Sequence, residues 1–340
     1  MHKIRTAIVG FGFAGRDIHF PPLFHHPSYD VKIIMTRNPN TRDDIEKTYT
    51  DIRVVSTYQA ILEDASIDLI ILATPNDVHE SYTKQALLYG KHVVCEKPFV
   101  ETYAQSSALY ELADANQKIL RVYHNRRYDG DILTIKALLN TEDFGIVKSF
   151  SARFDRYIPE VSSNWRDHTE VMPGVFYDLA PHLVHDMIEL FGKPHAVSMD
   201  LFFDRLNESA DDHFEMVCYY DQMTAYLGAS VLERHPKPRF EVIGTKKTYV
   251  KYGFDTPDLV HMKTDEPHQV PGLKSILIDE NLNQKDIPLL MGAHYTFYDL
   301  LAHDILNKVK ADTHKTLALQ VIQVMEKALE SYKSKQCVQI

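Results

Sequence analysis

The sequence is poor in cysteine, and the three it has, Cys95, Cys218 and Cys337, are odd in number and widely spaced. A disulfide framework is therefore not expected, and with no CxxC pair neither is a cysteine zinc site. A reducing cytoplasm fits this usage best. Basic residues are outnumbered, 37 against 47 acidic, for a formal charge of −10. That balance argues against a nucleic-acid or anionic-membrane partner, though it leaves room for a small anion held by a local Arg. No run reaches the roughly 18 apolar residues of a membrane helix. The opening "MHKIRTAIVGFGFAG" sets basic residues before an apolar run. Arg16 and Asp17 follow at once, without a small-residue cleavage site, so a signal peptide is not expected. Internal repeats and low-complexity tracts are missing too. What is present is an ordinary globular composition over 340 residues, enough chain for two domains whose cores need no disulfide or metal.

Along the chain the texture changes once. Up to Tyr123, short β-branched runs at 6–9, 31–35, 68–73, 91–95 and 119–123 read as buried parallel strands. Amphipathic stretches such as 77–88 and 102–115 lie between them. Strand–helix alternation of this kind implies a parallel sheet covered on both faces. Gly90 stands where a helix C-cap belongs. Beyond Tyr123 the strands lengthen and alternate, at 148–157, 196–206, 214–220 and 224–232. Such alternation predicts an antiparallel or mixed sheet with one exposed face. Two helices are expected near 295–309 and 316–332, and the polar segment 255–286 reads as a long loop. The expected fold is thus α/β: a doubly wound Rossmann domain over 1–123, then an α+β domain over 124–340 with a large, mostly antiparallel mixed sheet. The C-terminal helix is free to pack back on the first domain.

"GFGFAG" contains Gly10, Gly12 and Gly15 in G-x-G-x-x-G spacing. Alone the pattern is weak, but it follows the strand-like "RTAIV" and precedes a plausible helix. In that setting Gly10 permits a tight turn, Gly12 lets the backbone approach a pyrophosphate, and Gly15 lets helix and strand pack closely. The anion then meets unsatisfied N–H groups at the helix start. An acid about 20 residues further on selects NAD, whereas an Arg accommodates the NADP 2′-phosphate. The second strand ends in "IIMTRNPN", with Thr36, Arg37 and Asn38 and no carboxylate. A guanidinium pairs bidentately with phosphate, so NADP is favoured over NAD.

"CEKPF" places Lys97 at the carboxyl end of a predicted parallel strand, where open α/β sheets hold ligands. Pro98 fixes the turn and biases Lys97 toward an extended conformation. In "FYDLAPHLVHD", Asp178 and His182 are four apart, which sets them on one helix face about 5–6 Å apart at Cβ. A carboxylate beside an imidazole orients it and stabilises its protonated form. That arrangement suits a histidine that takes a hydroxyl proton while hydride leaves the carbon. Pro181 is awkward there unless the helix begins near Asp178 or kinks. The alternative is a capping Asp178 and a buried, hydrogen-bonded His182. A zinc site of Asp178, His182 and His185 is a second alternative. It lacks the Glu that accompanies helical His pairs in H-E-x-x-H enzymes, and no metal is assigned.

These segments together resemble the Gfo/Idh/MocA family of oxidoreductases. The likeness runs through most of the chain and rests on "GFGFAG", "ATPNDVH", "CEKPF", "VYHNRRYDGD" and "YDLAPHLVHD". "VYHNRRYDGDILTIK" and "FDRYIPEVSSNWRD" are most similar to a subgroup containing NADP-dependent scyllo-inositol dehydrogenase. The resemblance implies that Lys97, Asp178 and His182 form the catalytic group. It implies cofactor contacts from Gly10, Gly12, Phe13, Ala14, Gly15, Thr36, Arg37, Thr74, Pro75, Asn76, Glu96, Lys97, Trp165 and Arg166. It assigns substrate binding to Lys97, Arg126, Tyr157 and His182. Two features depart from many relatives: a single Gly174 before the predicted catalytic helix, and His185 where an Asp is common.

The expected activity is hydride transfer between NADP(H), or less favourably NAD, and a hydroxyl-bearing carbon of a polyol or sugar such as an inositol. Lys97 would polarise the oxygen, and His182, oriented by Asp178, would handle the proton. The alternative is an NADP-binding regulator without turnover. Neither nucleic acid nor a membrane is an expected partner, and a homodimer or higher homo-oligomer is.

Overall fold

The computed structural model describes residues 3–161, 171–205, 209–235, 237–254, 274–309 and 313–340. The chain divides into two compact units, Met1–Tyr123 with His294–Leu319, and His124–Ala293 with Gln320–Ile340. The sheet of the first unit holds β1 (Ile4–Val9), β2 (Tyr29–Met35), β3 (Arg53–Val55), β4 (Leu69–Leu72), β5 (His92–Cys95) and β6 (Leu120–Val122). Their order is β3-β2-β1-β4-β5-β6, and every pair is parallel. The order reverses between β1 and β4, which is the switch point where a doubly wound sheet opens a crevice for a ligand. β4 is buried along its whole length, as a central strand covered on both faces must be.

The connecting helices are α1 (Phe20–His25), α2 (Pro39–Thr48), α3 (Gln59–Leu62), α4 (His79–Leu88) and α5 (Tyr103–Ala115). Two of them carry a local start signal. Asn38 caps α2 by accepting from the N–H groups of Asn40 and Thr41, and Thr102 with Gln105 forms a capping box on α5, satisfying donors that the first turn leaves open. The helix expected after the glycine loop is not a regular one. Ala14–His19 forms a π-helical turn, and only then does the six-residue α1 begin. Pro21 and Pro22 follow immediately and lack the N–H groups that a continuous α-ladder needs.

In the second unit α6 (Gly130–Thr141) and α7 (Gly174–Phe191) accompany nine strands: β7 (Val147–Arg153), β8 (Ala196–Phe202), β9 (His213–Tyr219), β10 (Thr224–Ser230), β11 (Phe240–Gly244), β12 (Thr248–Tyr252), β13 (Lys274–Ile278), β14 (Gln284–Asp286) and β15 (Val338–Gln339). Their order is β14-β13-β12-β11-β7-β10-β9-β8-β15, with β7 and β10 parallel and the other pairs antiparallel. The fold class is therefore the one expected, with two corrections. The 255–286 segment is not wholly a loop, because β13 and β14 form a hairpin within it. Asp279 builds the turn, its carboxylate accepting from the N–H groups of Asn281 and Asn283 at 2.9 Å each, a local side-chain turn of the kind Asp favours. The long strands also stop early, β7 at Arg153, β8 at Phe202 and β10 at Ser230. Past Arg153 the chain stays hydrogen-bonded but irregular, with Phe154 N–H to Gly228 O at 2.9 Å and Arg156 N–H to Ser230 O at 2.8 Å.

The last helices are α8 (Tyr295–Asn307) and α9 (Thr313–Ser334). α8 lies in the first unit, and the unit boundary falls within α9. Among the described residues no helix is long and apolar enough to cross a membrane.

One face of the large sheet buries Phe214, Met216, Cys218, Ala225 and Leu227, and α7 packs against β9 and β10. On the other face Gly228 sits between Arg153 on β7 and Glu215 on β9, in register with both. Arg153 donates to the two Glu215 oxygens at 2.8 and 2.7 Å, a bidentate fork across the intervening strand. A methyl at Gly228 would stand 2.6 Å from Arg153 Nη1 and 2.8 Å from Glu215 Oε2. Partial burial pushes the Glu215 pKa up, but hydrogen bonds from His213 and Arg153 and the Arg153 charge outweigh it and hold the pKa at about 2. The folded-state pKa is depressed, so this contribution is complete above the ordinary carboxylate pKa of about 4.3 and is lost as pH falls toward 2. Thermal melts across pH 2–6 test this. Gly228→Ala is expected to lower Tm at neutral pH, and Glu215→Gln to flatten the acid limb. An unchanged acid limb in Glu215→Gln would show that the pair contributes nothing.

Candidate active site

A cavity of about 500 Å³ opens at the switch point of the first sheet. Gly10, Phe11, Gly12 and Arg16 from the glycine loop line it, with Met35, Thr36, Arg37, Asn38 and Thr41 at the end of β2, and Thr74, Pro75, Asp77, Val78 and Tyr82 beyond β4. Gly10 has φ +91°, and a Cβ there would lie 2.3 Å from Ala73 O, so both its conformation and its proximity to β4 demand glycine. A Cβ at Gly15 would be 2.1 Å from Gly10 O, whereas one at Gly12 would meet nothing within 4 Å. The turn is thus closed by Gly10 and Gly15 and leaves open backbone at Gly12. Thr74 Oγ1 is buried on the cavity wall without a hydrogen-bond partner among the described residues, the sort of group a bound ligand satisfies. Open backbone, an orphaned hydroxyl and a guanidinium at the β2 end suit a dinucleotide. The β2 end brings no carboxylate, and the acid in the lining, Asp77, comes from the β4 loop.

Six of the residues expected at the cofactor line this cavity: Gly10, Gly12, Thr36, Arg37, Thr74 and Pro75. Phe13, Ala14, Gly15, Asn76, Glu96 and Lys97 are not in its lining. Phe13 is exposed and Asn76 is buried. Trp165 and Arg166 lie outside the described residues. The sequence reading passed over Arg16, Thr41 and Tyr82. The helix cap at Asn38 was the available signal for Thr41, since capping turns the first helical residues toward the strand end.

Lys97 follows β5 in a loop clasped from two sides, and the Lys97–Pro98 peptide is cis. Its N–H donates to Glu96 Oε2 at 3.1 Å. Glu96 Oε1 meets His19 Nε2 at 3.0 Å, and His19 Nδ1 lies 2.6 Å from the Tyr298 hydroxyl. Burial works to raise the Glu96 pKa, yet the His19 bond and charge, with Lys97, hold it below the usual carboxylate range. An ionised Glu96 accepts the hydrogen bond from His19 Nε2. On the other side, the buried His79 faces Pro98 O at 2.7 Å and Thr74 O at 3.0 Å, joining the Lys97 loop to the cavity wall. Burial pushes its pKa down, against the pull of both carbonyls.

In the second unit, α7 carries Asp178 and His182. The helix begins at Gly174, four residues before Asp178, and passes through Pro181. The capping role considered for Asp178 is thereby corrected. The cap comes from Asp211, whose carboxylate accepts from Phe176 N–H at 2.6 Å and whose carbonyl accepts from Val175 N–H at 2.9 Å. Gly174 has φ +84°, and a Cβ there would lie 2.2 Å from Asp211 Oδ1, which explains the single glycine at this point. His182 is buried and meets Phe154 edge-on, 6.4 Å between ring centroids. Arg126 lies over the same Phe154 ring at 5.0 Å and donates to Asp129 at 2.9 Å.

His185 stacks on His124 at 4.6 Å and points Nδ1 toward Asp186 at 3.7 Å and Glu189 at 3.8 Å. Burial raises the Asp186 pKa well above the carboxylate range despite the Arg239 charge. Among the described residues no group of three His, Cys, Asp or Glu side chains is set to hold a metal. Tyr157 is exposed, and its hydroxyl accepts from Arg234 at 2.7 Å. Arg126 and His182 both lie against Phe154.

Residues 4–124 match the oxidoreductase family with the NAD-binding Rossmann fold, and residues 132–250 match the GFO/IDH/MocA C-terminal domain. The chain is 30% identical to scyllo-inositol 2-dehydrogenase (NADP(+)) IolW of Bacillus subtilis, covering 99% of this chain and 96% of that protein. It is 33% identical to the uncharacterized oxidoreductase YdgJ of Escherichia coli, covering 97% of each. The solved structure of YvaA from Bacillus subtilis superposes with a TM-score of 0.91 at 29% identity, covering 99% of this chain and 98% of that one.

The Asp211 cap gives a direct test of how α7 is held. Asp211→Ala removes the acceptor for Phe176 N–H, a loss typically worth about 1 kcal/mol or more. Calorimetric melting should show a lower Tm, while the affinity for 2′,5′-ADP, an adenosine-half probe for the cavity of the first unit, stays at the wild-type value. An unaltered melt would mean that α7 does not depend on this cap.

Proposed function

This chain belongs to the GFO/IDH/MocA family of oxidoreductases, and from that premise we propose that it moves hydride between NADP(H) and a hydroxyl-bearing carbon of a polyol or sugar. The observation that carries the cofactor choice is the cavity that runs from the Gly10–Gly12 turn to Thr36, Arg37 and Asn38. A guanidinium there pairs with a 2′-phosphate, which a carboxylate in its place would repel. The NADP dependence named for the Bacillus subtilis relative points the same way.

When bound, NADP supplies the hydride acceptor in oxidation and the donor in reduction. The protein supplies position and proton handling. The proposed cofactor contacts are the cavity residues with Phe13, Ala14, Gly15, Asn76, Glu96, Trp165 and Arg166. Lys97 is assigned to the substrate oxygen, where its ammonium stabilises developing negative charge. His182 is assigned as base for the hydroxyl proton in oxidation and as acid in reduction, with Asp178 four residues earlier orienting it. Arg126 and Tyr157 are assigned to the substrate. The second unit, 124–340 less the segment contributed to the first, is proposed as the substrate and association domain.

Strand register sets Phe202, Val217, Tyr219, Tyr226, Ile243 and Tyr252 on one face of the large sheet. Phe202, Tyr219, Tyr226 and Tyr252 are exposed. We infer that a second copy covers this face, since exposed aromatic side chains gathered on one sheet face are a feature of association sites. Free thiols at Cys95, Cys218 and Cys337 support placement in a reducing cytoplasm.

Three measurements test this reading. Arg37→Asp should weaken NADP binding and raise the relative use of NAD, and a wild-type protein that binds NAD tenfold more tightly than NADP in fluorescence titration would overturn the cofactor choice. Lys97→Ala and His182→Ala should each lower kcat by about 10²–10⁴-fold while 2′,5′-ADP binding stays intact, and near-normal turnover in both would remove these roles. Light scattering at micromolar concentration should give at least a dimer mass. If wild-type protein binds NADP but turns over no polyol or sugar, the regulatory reading replaces the enzymatic one.

A further inference from the structure

Phe154 and Phe254 of the second unit stack with centroids 5.7 Å apart and planes 7° from parallel. Three guanidiniums lie against this pair. Arg126 is 5.0 Å from the Phe154 centroid, Arg239 is 3.8 Å from the same ring, and Arg156 is 5.7 Å from Phe254. His182 packs edge-on to Phe154. A single two-ring stack thus gathers the imidazole assigned to proton transfer and three positive charges.

Two of the three charges are spoken for. Arg239 is buried, donates to Arg153 O at 2.9 Å, and faces the carboxyl groups of Asp131, Asp186 and Asp129. Arg126 donates to Asp129 at 2.9 Å through Nη1, and among the described residues the rest of its fork has no hydrogen bond. Arg156 differs from both: among the described residues its guanidinium makes no hydrogen bond and no ion pair, and its recorded ring contact is Phe254. Arg156 is exposed as a residue, yet desolvation lowers its pKa, and so does the charge of Arg126, while Asp178 works the other way. The guanidinium is therefore within electrostatic reach of the second unit's assigned catalytic carboxylate and of a second cation. Like charges held together on an aromatic platform repel until an anion lies between them. Guanidinium forks match the oxygens of carboxylate and phosphate.

We propose that Arg156, with Arg126, binds an anionic group of the substrate, so that the substrate is an acidic sugar or polyol, bearing a carboxylate or a phosphate ester, rather than a neutral one. The proposal rests on the dehydrogenase reading for its chemistry. A secondary alcohol C–H passes hydride to NADP+, the hydroxyl proton goes to His182, and the carbonyl product and NADPH result. The anionic group takes no part in bond changes and serves to orient the reacting carbon.

The test uses the full chain saturated with NADP+, with gluconate, glucuronate and glucose 6-phosphate set against glucitol and glucose. Binding is read by calorimetry and turnover by NADPH absorbance. At least one acid should bind at least tenfold more tightly than its neutral counterpart. Arg156→Gln should weaken that binding by about tenfold or more, and Arg156→Lys should restore part of it. The carboxylates and the phosphate ester separate the two possible anions. Equal binding of acid and neutral partners, or acid binding that Arg156→Gln leaves untouched in a normally melting protein, overturns the proposal. If an acid binds in an Arg156-dependent way but no compound reduces NADP+, the anion site stands and the dehydrogenase reading fails.

Discussion

Around the buried carboxylate of Glu96, segments far apart in the chain have to arrive together. An ionised group in a protein interior costs several kcal/mol unless hydrogen-bonded partners surround it. Glu96 gets them from His19 in the turn after the glycine loop and from the N–H of Lys97. His19 in turn needs the hydroxyl of Tyr298 on α8. The geometry of the β5 loop therefore follows from an electrostatic requirement two side chains away, and His79 repeats the arrangement from the β4 loop. The cofactor wall and the Lys97 loop are linked by hydrogen bonds to buried histidines, and changing one side chain disturbs both.

Much of this was legible beforehand, for a definite reason. Parallel strands buried on both faces must be apolar throughout, so residues such as 69–72 announce themselves without tertiary information. The glycine loop is equally local, because its requirements are steric and fall within six residues. What escaped was short or long-range. β3 is three residues long, too few for any period to show. The β13–β14 hairpin sits in polar flanks that mask its apolar "SILI". The cap of α7 comes from Asp211, a residue that no window around Asp178 contains. At the candidate site, the pattern read the chain's chemistry but not its neighbours: Tyr157 was singled out, yet its hydroxyl is engaged by Arg234. Arg156, one position earlier in the same "FDRY" segment, has no role in that reading, yet it lies against the stack that meets His182.

The second unit shows how buried charge can be distributed rather than avoided. Lys251 and Asp131 pair at 3.1 Å with both side chains inaccessible, Arg153 is divided between Asp155 and Glu215, and burial pushes the Asp186 pKa upward, which lowers the cost of its charge. Such networks contribute little net stability compared with apolar packing. They do fix where each guanidinium points, and direction is what a binding surface for a small polar molecule requires.

The first unit is not continuous in the chain. Its strands are complete by Tyr123, but Phe297 packs on Tyr123 at 4.7 Å, Tyr29 donates to Tyr298 O at 2.8 Å, and buried Arg121 pairs with Asp304. During synthesis all of these partners emerge only after the whole of the second sheet except β15. A ribosome adds roughly 5–20 residues per second, so for roughly ten to thirty seconds the nascent first unit lacks Asp304 beside Arg121, Tyr298 beside His19 and Phe297 on Tyr123. Assembly of the molecule is consequently not vectorial: its N-terminal portion waits on its C-terminal one, and the interval in between is when a chaperone has something to hold.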